Sequence, residues 1–310
     1  MLKKIIFMGT PLFAVPILKS LYQNGYPISV VYTQPPQKSQ RGQKINKSPV
    51  QGISETLNID CRAPSSLKDN EEEYEYLKKL DADIAIVVAY GQIIPKKFLN
   101  LAKKGFINIH ASLLPKWRGA APIQRSIMNL EKETGVSIMR IIEKLDAGPI
   151  CNLYKLQIEH NDNAEIISEK LSLLAAEKIL DNIDNILEDK IYFKEQNHRE
   201  ATYASKIEKS EGQIKWNNTA ENIIGKINGL YPSPGAFFIY QGERYKILKA
   251  KLAYGNGEIG EVLNDYLEIC CGNKKSIKVL DIQRQGKKPQ NISEFMLGSQ
   301  IKKGINLINV

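Results

Sequence analysis

Short apolar runs, each stopped by turn residues and separated by helix-like stretches, constrain this chain more than any other feature. Ile5–Met8 ends at Gly-Thr-Pro, a helical spacing runs through Phe13–Tyr22, and Ser29–Thr33 (SVVYT) follows. Leu80–Tyr90 (LDADIAIVVAY) stops at Gly91, and Phe106–His110 (FINIH) comes next. Parallel strands need crossover helices between them, and strands covered on both faces read as apolar runs. The pattern predicts βαβ units around a buried parallel sheet, an α/β fold rather than a mixed α+β sheet.

The character then changes. Ala164–Leu187 has the apolar spacing of one long helix, and Glu188–Ala204 turns polar. Beyond it, Ala236–Leu252, Ile259–Leu263, Tyr266–Cys271 and Ser276–Ile282 are short strand candidates parted by Gly, Asn and Lys turns. They predict a smaller, β-rich, barrel-like second domain. The expected division is a first domain over residues 1–189, a linker over 190–205 and a second domain over 206–310.

The formal net charge is +9, and from Lys206 to Val310 sixteen Lys and Arg stand against ten Asp and Glu. Most of the excess therefore belongs to the smaller part. Such a balance favours an anionic partner such as RNA without requiring one. In the first domain, residues 34–49 (QPPQKSQRGQKINKSP) form a long loop whose only charges are Lys38, Arg41, Lys44 and Lys47. Loops of that length are usually functional or disordered.

Several classes are disfavoured. The four cysteines form no Cys-x-x-Cys pair and there are three histidines, so no metal site is expected and free thiols in a reducing cytosol are. The N-terminal lysines and apolar run imitate a signal peptide, but Gly9, Pro11 and Pro16 interrupt it, which fits a buried first strand entering a helix. No apolar run approaches the ~18 residues of a membrane span. Gly9 follows the first strand, yet neither G-x-G-x-x-G nor a phosphate-loop motif is present, which disfavours dinucleotide and triphosphate binding.

The sharpest chemical signal is FINIHASLLPKWRGAAPIQ, residues 106–124. Side chains two apart on a strand share a face, so Asn108 and His110 point the same way. Open α/β sheets bind ligands beyond the C-terminal ends of their strands, where these residues fall. Taken alone, His110 reads equally well as a core histidine bonded to a backbone carbonyl, and Asp146 in LDAGP as a turn aspartate.

The chain resembles the methionyl-tRNA formyltransferases, within the wider group of enzymes that use 10-formyltetrahydrofolate. The resemblance rests on Asn-x-His at 108–110, SLLP at 112–115, WRGAAPIQ at 117–124, TGVSIM at 134–139 and LDAG at 145–148. It extends to MGTPLFA at the start, VAYGQIIP at 88–95, KSEGQIKW at 209–216, YPSPGA at 231–236 and QGKKPQNISEF at 285–295, covering nearly the whole chain. It implies a Rossmann-like, mostly parallel catalytic domain followed by an OB-like barrel that binds tRNA. The implied reaction moves the formyl group of 10-formyltetrahydrofolate to the methionine amine of initiator methionyl-tRNA for translation initiation. The expected setting is a cytoplasmic monomer with no metal and no membrane.

The resemblance also implies residue roles. Asn108, His110 and Asp146 become the catalytic triad: amide and imidazolium donors suit a developing oxyanion, and a carboxylate can orient the imidazolium and move protons. Ser112, Leu113, Leu114 and Pro115 match the folate segment, and Tyr90, Gly91, Gln92 and Ile93 line the pterin pocket through backbone groups. Arg41, Lys38, Lys44 and Lys47 belong to a tRNA-contacting insertion, while Gly9 and Phe13 fall near the acceptor end and methionine. Gln43, Lys116 and Ser233 depart from the family's common lysine, arginine and tryptophan. A relative acting on a small or nucleotide-linked amine, or a noncatalytic RNA-binding relative, shares much of this pattern.

Overall fold

The computed structural model describes residues 3–39 and 44–308. The chain forms two compact units: Met1–Gly119 with Thr134–Leu156 and Ser168–Tyr203, and Ala120–Glu133 with Gln157–Ile167 and Ala204–Val310.

The first unit is built on a seven-stranded sheet. Its strands are β1 (Ile5–Gly9), β2 (Ile28–Tyr32), β5 (Cys61–Arg62), β6 (Ile84–Val88), β7 (Phe106–His110), β8 (Glu133–Arg140) and β9 (Ile150–Gln157), in the order β9-β8-β7-β6-β1-β2-β5. From β5 to β7 all neighbours are parallel, and β8 turns antiparallel against β7, setting Asn108 opposite Met139 and His110 opposite Ser137. Every residue of β1 and β6 is buried. That is why these strands read as unbroken apolar runs.

The crossover helices start where the sequence supplies a start signal. Pro16 opens α1 (Val15–Gln23), the Ser48 hydroxyl caps α2 (Pro49–Thr56), and Asn70 caps α3 (Glu71–Leu80). Glu71, Glu72 and Glu73 crowd the first turn of α3 and Lys78 and Lys79 its last, matching the helix dipole at both ends. The long helix α5 (Ala164–Leu187) has the expected bounds and buries Ile167, Leu171, Ile179 and Ile183.

Two short strands lie within the basic stretch. Gln37–Ser39 (β3) and Lys44–Asn46 (β4) pair antiparallel, Lys38 opposite Ile45 and Ser39 opposite Lys44. Residues 40–43, with Arg41 and Gln43, lie outside the described residues.

The second unit is an antiparallel sheet that curls into a half-barrel. Ala236–Tyr240 (β10) and Glu243–Ala253 (β11) form a hairpin, followed by Glu268–Cys270 (β12), Ser276–Arg284 (β13) and Gln290–Asn291 (β14), in the order β10-β11-β13-β12 with β14 on β13. The run expected as one strand over 236–252 is broken at Gln241 and Gly242, whose φ values of 49° and 73° make the two-residue turn that suits strand twist. Irregularities after Ile247 and Lys249 bend β11. Ile259–Leu263 is not a strand: Gly260 lies inside it with a φ of 82°, and among the described residues it contributes the isolated bridges Glu261–Asn306 and Val262–Ile269. Trp216, Phe238, Tyr245 and Phe295 form a continuous run of aromatic contacts in this core, tilted, stacked and edge-on in turn. Helices α4 (Pro122–Met128) and α6 (Ala220–Gly229) approach closely, since a Cβ at Gly225 would lie 2.7 Å from Leu130 and one at Gly229 2.6 Å from Met128.

Candidate active site

Strand period puts Asn108 and His110 on one face of β7, and the turn after β8 folds back to place Asp146 against both. Asn108 Nδ2 is 3.5 Å from Asp146 Oδ1, and His110 Nδ1 is 3.7 Å from Asp146 Oδ2. The turn is tight: Asp146 has a φ of 45°, and a Cβ on Gly148 would collide with the backbone oxygen of Arg140. An aspartate tolerates that left-handed conformation better than most residues, and glycine is the side chain the close approach allows.

Residues 117–119 grip both members of the His–Asp pair. The Trp117 carbonyl accepts from His110 Nε2 at 2.9 Å, and the Gly119 amide donates to Asp146 Oδ2 at 2.8 Å. A carbonyl only accepts, so Nε2 carries the proton and Nδ1 is the nitrogen presented to Asp146. His110 is 6% exposed and the Asp146 side chain 13%. The carboxylate thus keeps one strong backbone donor and a slight opening to solvent. The His110 ring is satisfied by a carbonyl and also faces the carboxylate.

The folate candidates divide by environment. Ser112 and Leu114 are buried, and Ser112 Oγ donates to the Lys116 carbonyl at 2.7 Å. Ser137 Oγ donates to the Ser112 carbonyl at 2.5 Å and accepts from the Leu114 amide at 3.0 Å. Leu113 packs where a side chain on Gly135 would stand. The turn 112–115 is therefore fixed from beneath by Ser137, a residue whose role the sequence did not suggest.

Beyond β6, Tyr90 is buried, burial holds its phenol above its ordinary range, and its OH donates to Gln92 Oε1 at 3.4 Å. The Tyr90 carbonyl accepts from Thr10 Oγ1 and the Gly91 carbonyl from Gln34 Nε2, each at 2.8 Å. Gly91 has a φ of 82°, and a Cβ there would overlap Gln34. Ile93 is 89% exposed and offers an apolar surface on the loop that follows the strand beside β7. An apolar surface framed by fixed backbone groups fits one face of a flat heterocycle.

The remaining candidates are scattered. Gly9 is buried, and a Cβ there would lie 2.9 Å from both Ala14 and Phe7, so packing alone demands glycine. Phe13 is half-buried, and its carbonyl accepts from Ser172 Oγ at 2.7 Å. Lys47 is exposed and paired with Glu55 at 2.7 Å. Lys38 and Lys44 sit on the two strands of the β3–β4 hairpin, and Arg41 lies outside the described residues. Among the described residues no cluster of three potential metal ligands occurs, and no helix is long and apolar enough to cross a membrane.

A mostly parallel sheet followed by a curled antiparallel unit is the plan of a formyltransferase. The family model for the formyl transferase domain matches residues 3–183, and that for the formyl transferase C-terminal domain matches 206–300. Among solved structures, the sugar 3N-formyl transferase WlaRD, crystallised with dTDP and 5-N-formyl-THF, has the same fold. Its TM-score is 0.68 at 21% identity over 93% of this chain and 100% of that one. The N-formyltransferase from Helicobacter canadensis gives 0.68 at 22% identity, over 90% and 99%. A methionyl-tRNA formyltransferase of Pelagibacter ubique is 73% identical over the full length of both chains, and one of Caldanaerobacter subterraneus is 40% identical over 97% of this chain and 98% of its own. The chain belongs to the methionyl-tRNA formyltransferase family.

Proposed function

We propose that the chain transfers the formyl group of 10-formyltetrahydrofolate to the amino group of methionine on initiator methionyl-tRNA, giving N-formylmethionyl-tRNA. The observation that carries this is the convergence of Asn108, His110 and Asp146 on one face of β7, in a chain aligned end to end with methionyl-tRNA formyltransferases. The folate supplies a formyl group activated by attachment to N10. Asn108 has two Nδ2 hydrogens, one directed to Asp146, which leaves the other for the formyl oxygen as it gains negative charge. His110, with Nε2 held by Trp117, works through Nδ1. Asp146 stabilises the imidazolium and relays the proton of the attacking amine, directly or through water, to N10 as the bond between N10 and the formyl carbon breaks.

Holding the RNA falls to Lys38, Arg41, Lys44 and Lys47 of the basic stretch and to the second unit. Arg244 lies over the Phe237 ring at 3.7 Å, and burial together with Arg244 pushes the Lys246 ammonium below its ordinary range. Among the described residues neither cation forms an ion pair, an arrangement suited to phosphates. Residues 1–189 carry the chemistry and 206–310 the RNA grip, with 190–205 between them. The enzyme acts as a cytoplasmic monomer without a metal or a membrane. Folate-dependent formylation of purified methionyl-tRNA is the decisive assay. Formylation of small amines with none of methionyl-tRNA would replace this acceptor with a small one, and no formyl transfer at all would remove the reaction.

A further inference from the structure

The polar stretch before the second unit contains a side chain placed to govern the site. Gln196 is 7% exposed. Its Nε2 donates to two backbone carbonyls of the tight turn, Asp146 at 2.9 Å and Gly148 at 2.7 Å. Its Oε1 accepts from the Arg118 guanidinium, at 2.6 Å from Nη2 and 3.2 Å from Nε. Arg118 is 1% exposed, among the described residues it makes no ion pair, and its Nη2 also meets His198 Nδ1 at 2.9 Å.

The chemistry of these groups allows one orientation of the amide. Arginine only donates, so it must face the amide oxygen. Carbonyls only accept, so the amide nitrogen must face the turn. We propose that Gln196 is a positioning residue for formyl transfer: its amide, oriented by buried Arg118, latches the Asp146–Gly148 turn and so holds the Asp146 carboxylate against Asn108 and His110. The inference rests on Asp146 being part of the reacting group. Arg118 and Gly119 then act as a pair, Gly119 fixing the carboxylate by its amide and Arg118 fixing the backbone behind it. Misplacing a reacting group by about 1 Å can cost on the order of 10²-fold in rate.

Gln196→Glu separates the latch from simple packing. It keeps the shape and gives Arg118 a better acceptor, but sets an acceptor against two carbonyls. A merely structural role in satisfying Arg118 predicts unchanged turnover. The latch predicts a fall in kcat on the order of 10²-fold, KM for both substrates within about two-fold, and a changed pH profile of kcat because the Asp146–His110 pair is displaced. Gln196→Met, which removes the donors without adding charge, gives the same kcat loss and serves if the glutamate variant does not fold. Wild-type kcat in either folded variant overturns the proposal. Asp146→Ala is run alongside: if it retains turnover, the reading of the site fails, whereas an inactive Asp146→Ala beside a fully active Gln196→Glu removes only the latch.

Discussion

At the scale of single residues, the site depends on the donors gathered around the Asp146 carboxylate. The bond of the Asn108 amide described above is to the Asp146 carboxylate within the site, so its removal reports on the site. Asn108→Ala is expected to lower kcat by about 10²–10³, the usual loss for one donor to a developing oxyanion, with the melting temperature nearly unchanged. Steady-state kinetics with methionyl-tRNA and the folate donor check this, and near-normal turnover would strike Asn108 from the mechanism. The sequence singles out Asn108, His110 and Asp146 because two share a strand and the third lies in the LDAG segment, and the structure brings the three together. The sequence does not single out Gln196. A glutamine in a run of polar residues has the composition of a linker, and only the carbonyls of a turn fifty positions earlier give it meaning.

At the scale of elements, the strands and helices of the first unit follow from apolar runs and capping residues, and β7 and α5 have the bounds the sequence predicts. The misreadings have local causes. The β3–β4 hairpin is short and charged, so nothing in its periodicity marks a strand. In 236–252 a polar Gln-Gly pair hides inside a run whose flanks are both strongly strand-forming. Ser137 illustrates how an element supports a site without touching it: one hydroxyl on β8 ties the Ser112 carbonyl and the Leu114 amide. Ser137→Ala leaves two buried backbone groups without that partner and should cost about 1–3 kcal/mol of stability. It should also raise KM for the folate donor, because the 112–115 turn is freed. Denaturant unfolding and donor KM test the pair of effects; unchanged values for both would show that the turn holds itself.

At the scale of the whole molecule, electrostatics connects stability with RNA binding. In the second unit Arg125 makes a bidentate pair with Glu211, at 2.6 and 3.0 Å, and this bond holds the Glu211 carboxyl below its ordinary value. A depressed carboxylate contributes stability above its unfolded pKa and loses it as pH falls through the folded value. Glu211→Gln should therefore be less stable than the parent at neutral pH, with the gap closing in acid; a gap independent of pH would exclude the linkage. For RNA, Lys246→Gln should weaken methionyl-tRNA binding and lower the salt dependence by about one unit of log–log slope. Arg41→Ala should cut kcat/KM for methionyl-tRNA while donor binding stays intact. Wild-type salt slope and kinetics in both variants would return the acceptor to a small amine.

The grip of Gln196 on the Asp146 turn, and of Arg118 on Gln196, also bears on when the enzyme comes into being during its own synthesis. The bonds join residues 50 and 78 positions apart, and a ribosome adds only ~5–20 residues per second. A nascent chain can lay down β1, β2, β6 and β7 well before its aspartate is held in place. A fragment cut at residue 183, where the match to the formyl transferase model ends, retains Asn108, His110 and Asp146 but lacks Gln196. On the proposal that Gln196 latches the turn, maturation of the site waits for residue 196, beyond the end of the family match.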